Sequence, residues 1–223
     1  MSLRLNASNI SKYYNGNEVL RSSSFSFDES GIYVLTGPNG CGKSTFLRIC
    51  ALVEPPDSGD VDFNSGGGAV AKDLALKRRI TLVLPKVGIF STTVFRNAAY
   101  GLSIRRISGQ EAKERVDRVL DFVGLGHKRD QNALTVSSGE AQRLGIARAL
   151  VIEPEILFLD EPTASVDQKN TDIIEGIIRK MQRERKVTII MTTHDREQAS
   201  RLSDHLLVMK EGKIIRSINE NEK

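Results

Sequence analysis

The densest chemistry in this chain lies in Gly37-Pro38-Asn39-Gly40-Cys41-Gly42-Lys43-Ser44-Thr45. Its glycines let the backbone curl so that successive N–H groups face one point, a concavity that suits phosphate oxygens. A helix starting near Lys43 adds the positive end of its dipole. Lys43 supplies a point charge, and the hydroxyl of Ser44 is a ligand for Mg²⁺. The pattern G-x-x-x-x-G-K-[ST] carries this reading only between a strand and a helix. Ile32 to Leu35 is apolar strand text ahead of it, and residues 43–53 place Phe46, Leu47, Cys50 and Ala51 on one helical face behind it. A second pair, Asp160-Glu161, closes the apolar run Ile156-Leu157-Phe158-Leu159, and Pro162 stops the strand. Beside a phosphate loop, Asp160 is placed to hold Mg²⁺ through water. Glu161 is placed to polarise or deprotonate a water in line with the terminal phosphate.

These groups need a scaffold, and the hydropathy pattern describes one. Fully apolar strands at 32–35, 80–84, 156–159 and 187–191 alternate with amphipathic helices, which indicates a parallel sheet covered on both faces. Leu3, Leu5, Phe25 and Phe27 read as earlier strands, with Asn15-Gly16-Asn17 as a turn between two of them. Ser65-Gly66-Gly67-Gly68 reads as a surface hairpin loop. After the strand at 80–84 the chain is mostly helical to about residue 150. Ser108 with Glu111 fits a capping box, Val116, Val119, Leu120 and Val123 form a core stripe, and Gly124 and Gly126 end that helix. Asp167 starts another helix, with Ile173, Ile174, Ile177, Ile178 and Met181 facing inward. Leu206 to Met209 and Lys213 to Ile215 form a closing hairpin around Glu211-Gly212.

Composition narrows the function class. The 223 residues carry a net charge of only +4, which argues against a nucleic-acid arm. There is no Trp and 5% aromatic residues, a poor basis for a stacking platform. Two cysteines, Cys41 and Cys50, do not make a disulfide framework and fit a reducing compartment. No leader opens the chain and no apolar run is long enough to span a bilayer, so any membrane role is expected to pass through a partner. The chain stops soon after its last strand, so no C-terminal regulatory domain is expected. His127 and His205 lack metal spacing and read as surface or cap residues. Cys41 reads as a small space-filling residue, with a reactive helix-terminal thiol as the alternative.

A third run gives these parts a family. Val136-Ser137-Ser138-Gly139-Glu140-Ala141-Gln142-Arg143-Leu144 resembles the Leu-Ser-Gly-Gly-Gln signature of ABC (ATP-binding cassette) ATPases. Thr192-Thr193-His194-Asp195 resembles that family's switch histidine, Ser165-Val166-Asp167 its D-loop, and Tyr14 falls where the family stacks an aromatic on adenine. The resemblance implies ATP and Mg²⁺ as ligands, with Gly37 through Thr45 and Tyr14 binding ATP. It implies Ser44 and, through water, Asp160 on the metal, and Glu161 and His194 as catalytic residues. It implies a head-to-tail pair, with a second copy or a related cassette, in which the signature residues Ser137, Ser138, Gly139 and Glu140 face the ATP of the opposite subunit, Ser137, Gly139 and the helix N-terminus behind them gripping its γ-phosphate, and Asp167 lies in the D-loop. The fold it implies is α/β: a P-loop NTPase core with a mainly parallel sheet, an N-terminal antiparallel β-subdomain and an inserted α-helical subdomain. As one domain over 1–223, the core would take about 1–85 and 150–223, and the helical subdomain about 86–149.

The implied function is the ATP-hydrolysing subunit of a membrane transporter, an importer before an exporter because a lone cassette chain is the common importer arrangement. Its partners would be integral membrane subunits docking on Lys86 to Leu102, together with an external solute-binding protein in an importer. No nucleic acid is expected, and the location would be peripheral, on the cytoplasmic face of the cell membrane. Ile89, Phe90, Val94, Phe95 and Tyr100 are either an apolar docking patch or core of the helical subdomain. The run from Thr92 to Leu102 resembles oxyanion importers such as those of tungstate, molybdate or phosphate. The alternative is a soluble, non-transport ABC ATPase acting on nucleic acid, ribosomes or protein assembly. Three of the departures from the family bear on its chemistry. Pro85 stands where the family has its Q-loop glutamine, which removes a side-chain carbonyl and predicts slower or less tightly coupled hydrolysis. Ser138 replaces a glycine, narrowing the approach to phosphate. Glu140 replaces a glutamine, and Ser137 with Glu140 fits a capping box.

Overall fold

A computed structural model describes residues 3–164 and 166–219, the last four as backbone alone. The Asn15-Gly16 turn folds β1 (Arg4–Tyr14) back onto β2 (Asn17–Phe27). β3 (Ile32–Thr36) leads through the glycine-rich loop into α1 (Lys43–Cys50). The hairpin β4 (Ser58–Ser65) and β5 (Gly68–Val70) follows, then α2 (Leu74–Lys77) and β6 (Ile80–Val83). A helical segment comes next: α3 (Val94–Ile104), α4 (Gly109–Phe122) and α5 (Ser138–Leu150). The chain returns through β7 (Ile156–Asp160), α6 (Gln168–Arg185), β8 (Thr188–Thr193), α7 (Arg196–Leu202) and the hairpin β9 (His205–Lys210) and β10 (Lys213–Asn219).

Two sheets result. One is antiparallel, in the order β2-β1-β4-β5; the other runs β10-β9-β3-β8-β7-β6 and is parallel except for its β9–β10 edge. Every residue of β3, β7 and β8 is buried, as strands covered on both faces must be. Between the sheets lies α1. Its Phe46, Leu47, Ile49 and Cys50 pack with Leu5, Phe27 and Phe63 of the antiparallel sheet and Phe158 and Ile190 of the parallel one. Each large side chain buried there contributes about 1.5–3 kcal/mol, so the phosphate loop is anchored at its C-terminal end by buried core packing. On the other face of the parallel sheet, Val116, Val119, Leu120 and Val123 join α5, α6 and β8 in a second core. Among the described residues no helix is long and apolar enough to cross a membrane.

Three expectations need correction. The first helix ends at Cys50, not 53, because Leu52 takes a left-handed conformation (φ 56°) and Val53 points to solvent. The box between Ser108 and Glu111 does not form. Ser108 caps α4 without a side-chain bond, Gly109 turns with φ 69°, and the Glu111 carboxylate goes to Arg115 one turn on, at 2.9 Å. His205 is neither a surface nor a cap residue: it lies in β9, stacked on the Tyr33 ring at 4.3 Å. His127 is exposed in a short turn.

Candidate functional site

The glycine-rich loop lies between two walls, β2 and the β9–β10 hairpin. The Gly212 N–H donates to the Cys41 carbonyl at 3.0 Å. A Cβ on Gly42 (φ 107°) would come within 2.8 Å of the Leu20 side chain and 2.9 Å of the Val19 carbonyl, so this place admits only glycine. Pro38, Asn39 and Gly40 are exposed at the crest, whereas Cys41, Lys43 and Thr45 are buried. The Lys43 ammonium donates to the carbonyls of Gly37 (2.9 Å) and Pro38 (3.1 Å). No carboxylate among the described residues pairs with it, although the residue is only 5% exposed. A buried, unneutralised cation in a ring of backbone dipoles calls for an anion.

Opposite the loop, β7 ends at Asp160, which is 2% exposed. Its Oδ1 accepts from the Ser44 hydroxyl at 2.8 Å and from Thr192 Oγ1 at 2.7 Å. Thr192 in turn accepts from the Glu161 backbone N–H at 3.0 Å. One buried hydroxyl on β8 therefore fixes both acidic residues. Glu161 sits at φ 46°, a turn that swings its carboxylate off the strand direction. Its Oε2 lies 2.9 Å from Nδ1 of His194. The two sequence-predicted catalytic residues thus meet, and the two predicted metal ligands meet beside the phosphate loop.

The signature segment begins α5. Ser137 accepts from the Glu140 N–H (3.3 Å), and Glu140 accepts from the Ser137 N–H (3.0 Å), completing the expected capping box. A hydrogen bond and ion pair from Lys128 at 2.7 Å, outweighing partial burial and joined by the Ser137 N–H, hold the Glu140 carboxyl below the usual range. Gly139 is packed against α6, where an added Cβ would lie 2.2 Å from Asn170 Cγ. Asn170 bonds both oxygens of Asp167 (3.0 and 3.1 Å), and its backbone and side-chain bonds hold that carboxyl low. Signature and D-loop segments are thus one packed unit within the chain. Ser165 lies outside the described residues. Pro85 lies in the loop after β6, whose neighbours are pinned to the helices. Arg148 donates to the Gly88 carbonyl at 2.9 Å, and the buried Asn97 exchanges bonds with Phe90. Tyr14, at the end of β1, is partly exposed, and its hydroxyl donates to Glu54.

Sequence reasoning gave no role of their own to Thr192, Asn170, Arg48 and Glu54. Thr192 carried a signal, standing two residues before His194 at the end of an apolar strand. The others acquire their roles only from helix packing and the turn at Pro55-Pro56.

The family model described as ABC transporter matches residues 20–164. A phosphate import ATP-binding protein of Natronomonas pharaonis is 38% identical over 218 residues, covering 92% of this chain and 76% of that protein. The tungstate uptake system ATP-binding protein of Peptoclostridium acidaminophilum is 35% identical over 212 residues, covering 95% and 97%. Among solved structures, cbiO1 from Clostridium perfringens, part of the ABC transporter complex cbiONQ, superposes with a TM-score of 0.86 at 29% identity, over 98% of this chain and 89% of that one. A phosphate loop with an unneutralised lysine, a paired acid and histidine, and likeness along nearly the whole length converge on one assignment: the chain belongs to the ABC transporter family, as an ATP-binding subunit that hydrolyses ATP.

Proposed function

We propose that this subunit drives a membrane importer by closing in pairs on ATP, either two copies of itself or one copy with a related cassette. The observation that carries the reading is the Asp160–Glu161 turn, which aims one carboxylate at Ser44 and the next at His194. In that pair, Gly37 to Thr45 cradle the phosphates, Lys43 offsets their charge and Tyr14 stacks on adenine. The second copy's signature segment, Ser137, Ser138, Gly139 and Glu140, closes over the site, with Ser137, Gly139 and the α5 N-terminus gripping the γ-phosphate and Asp167 in the D-loop beside them. Glu161 takes or polarises the proton of the attacking water, and His194 holds that water against the phosphate. Mg²⁺ fits the donors present: Ser44 and, through water, Asp160 offer only oxygen, which a hard cation requires. No group of three or more His, Cys, Asp or Glu among the described residues would hold a metal by itself, so the ion comes with the nucleotide. Bound there, it would draw charge from the phosphate oxygens.

The membrane subunits dock, in this reading, where Leu84 (47% exposed) and Tyr100 (45%) line a cavity of about 310 Å³ bounded by β6, α3 and α5, with Phe90 (41%) against the Tyr100 ring. Val94, which the sequence offered for this patch, is instead buried core, and Ile89 and Phe95 are partly buried against it. The protein would be peripheral on the cytoplasmic face of the membrane, as a single cassette with its core at about 1–85 and 150–223 and its helical part at about 86–149. An oxyanion is the proposed cargo, supported by the 92–102 run and by the phosphate and tungstate relatives. A similarly matched spermidine/putrescine import protein argues that other subunits choose the solute.

The test is a tagged Glu161→Gln pull-down from native membranes with and without ATP. Capture of an integral membrane protein supports the transporter, and its identity defines the cargo. Capture of soluble, ribosomal or nucleic-acid partners alone moves the assignment to a non-transport ABC ATPase.

A further inference from the structure

Tyr14 is held by more than its place on β1. Its hydroxyl donates to Oε1 of Glu54, in the segment that leaves α1. Arg48, in the last turn of α1, reaches three of the groups involved. Its Nε lies 3.2 Å from Glu54 Oε2, and its Nη2 lies 3.5 Å from the Tyr14 hydroxyl and 3.4 Å from Thr45 Oγ1. Lys12 completes the cluster, 3.6 Å from Glu54 and 5.7 Å from the centre of the Tyr14 ring. Its ammonium is itself fixed by the Pro55 carbonyl at 2.8 Å and by Asp57 at 3.3 Å. Tyr14 is 37% exposed, so a planar base has access to it. Neighbouring Tyr13 is treated differently: its hydroxyl donates to Glu18 across the hairpin.

We infer that Arg48 and Glu54 are positioning residues that lock the Tyr14 ring to the phosphate-loop helix, so that base platform and phosphate cradle keep a fixed separation. This rests on the proposed role of Tyr14 as the adenine platform. A tyrosine at the end of an edge hairpin otherwise has rotor freedom to lose on binding. Arg48 and Glu54 remove that freedom beforehand, which raises affinity for a ligand that spans both parts. A ligand with phosphates and no base gains nothing from the lock.

The experiment compares ATP with inorganic tripolyphosphate on the full chain, measuring both dissociation constants and the KM and kcat for ATP. Variants are Glu54→Gln, Arg48→Met, Tyr14→Phe and Tyr14→Ala. Glu54→Gln and Arg48→Met are expected to weaken ATP about fivefold to tenfold, with tripolyphosphate within about twofold, and to act on KM rather than kcat. Tyr14→Phe, which keeps the ring and its packing, is expected to lose a similar factor. Glu54→Gln added to it is expected to cost little more, as in any cycle whose partners act through one contact. If Tyr14→Ala weakens ATP but the Glu54 and Arg48 variants do not, the lock is refuted and the platform stands. If Tyr14→Ala leaves ATP binding unchanged, the platform itself falls, and the lock with it. If both ligands weaken alike, the cluster merely supports the end of α1 and the lock is refuted.

Discussion

Thr192→Val removes one hydroxyl and keeps the shape of a side chain that has no exposure. The buried Asp160 carboxylate loses a 2.7 Å donor, and the Glu161 N–H loses a 3.0 Å acceptor. A hydrogen bond to a charged group is worth about 1.5–3 kcal/mol and one between neutral groups about 0.5–1.5 kcal/mol. Ser44 still serves the same carboxylate oxygen, and water reaches the partly exposed Glu161, so a net loss of about 2–4 kcal/mol is expected. The functional cost is separate. Glu161 holds a left-handed turn whose N–H is tied down by this hydroxyl. Once freed, its carboxylate no longer keeps its place against His194, and kcat is expected to fall at least tenfold while KM for ATP moves less. The assays are urea unfolding for stability and steady-state ATP hydrolysis at temperatures where the variant stays folded. A loss under about 0.5 kcal/mol, or an unchanged kcat, would refute the claim that one hydroxyl organises both acids.

Gly139→Ala drives a methyl into Asn170, at 2.2 Å from its Cγ, and is expected to cost about 1–3 kcal/mol in thermal or urea unfolding; Asn170→Ala should relieve little of that loss, because the Asn170 Cβ that it keeps lies 2.6 Å from the new methyl. Glu140 is held ionised in the native state, so its contribution is full above its ordinary pKa of about 4.3 and disappears as pH falls through the lower native value. The urea-midpoint gap between wild type and Glu140→Gln should therefore be clear at pH 7 and close at low pH. Pro85→Gln restores a side-chain carbonyl to the loop after β6 and is expected to raise the ATPase rate and its coupling to transport, measured in membranes or proteoliposomes. Equal rates would show that proline is tolerated there.

Much of the site was legible because its parts are local. The phosphate loop needs glycines at fixed offsets, and Asp160-Glu161 closes an apolar run that has to be a buried strand. Ser137 with Glu140 satisfies a helix start within four residues, and the structure forms that box. Ser108 with Glu111 has the same spacing and does not form one, because a left-handed Gly109 intervenes and Arg115 competes for the carboxylate. Local pattern cannot weigh such a competitor. What stayed hidden depends on long-range registry. The β7–β8 pairing sets Thr192 opposite Asp160, and α6 packing brings Asn170 against Gly139. The turn after α1 returns Glu54 to Arg48 and Tyr14. Valine and phenylalanine at 94 and 95 also looked alike in a helical stretch, yet only the fold decides that one is sealed in the core.

The central claim is that Glu161, paired with His194, acts on ATP held between two cassettes. Sedimentation velocity of purified Glu161→Gln with Mg²⁺, with and without ATP, tests it most directly when run beside an ATPase assay. For pairing between two copies, the account requires a single species without nucleotide, a species of twice the mass with ATP, and turnover near background. Hydrolysis of ATP at the wild-type rate would contradict the role of Glu161, and a chain that stays single with ATP bound would refute pairing between copies and leave a related cassette as the partner.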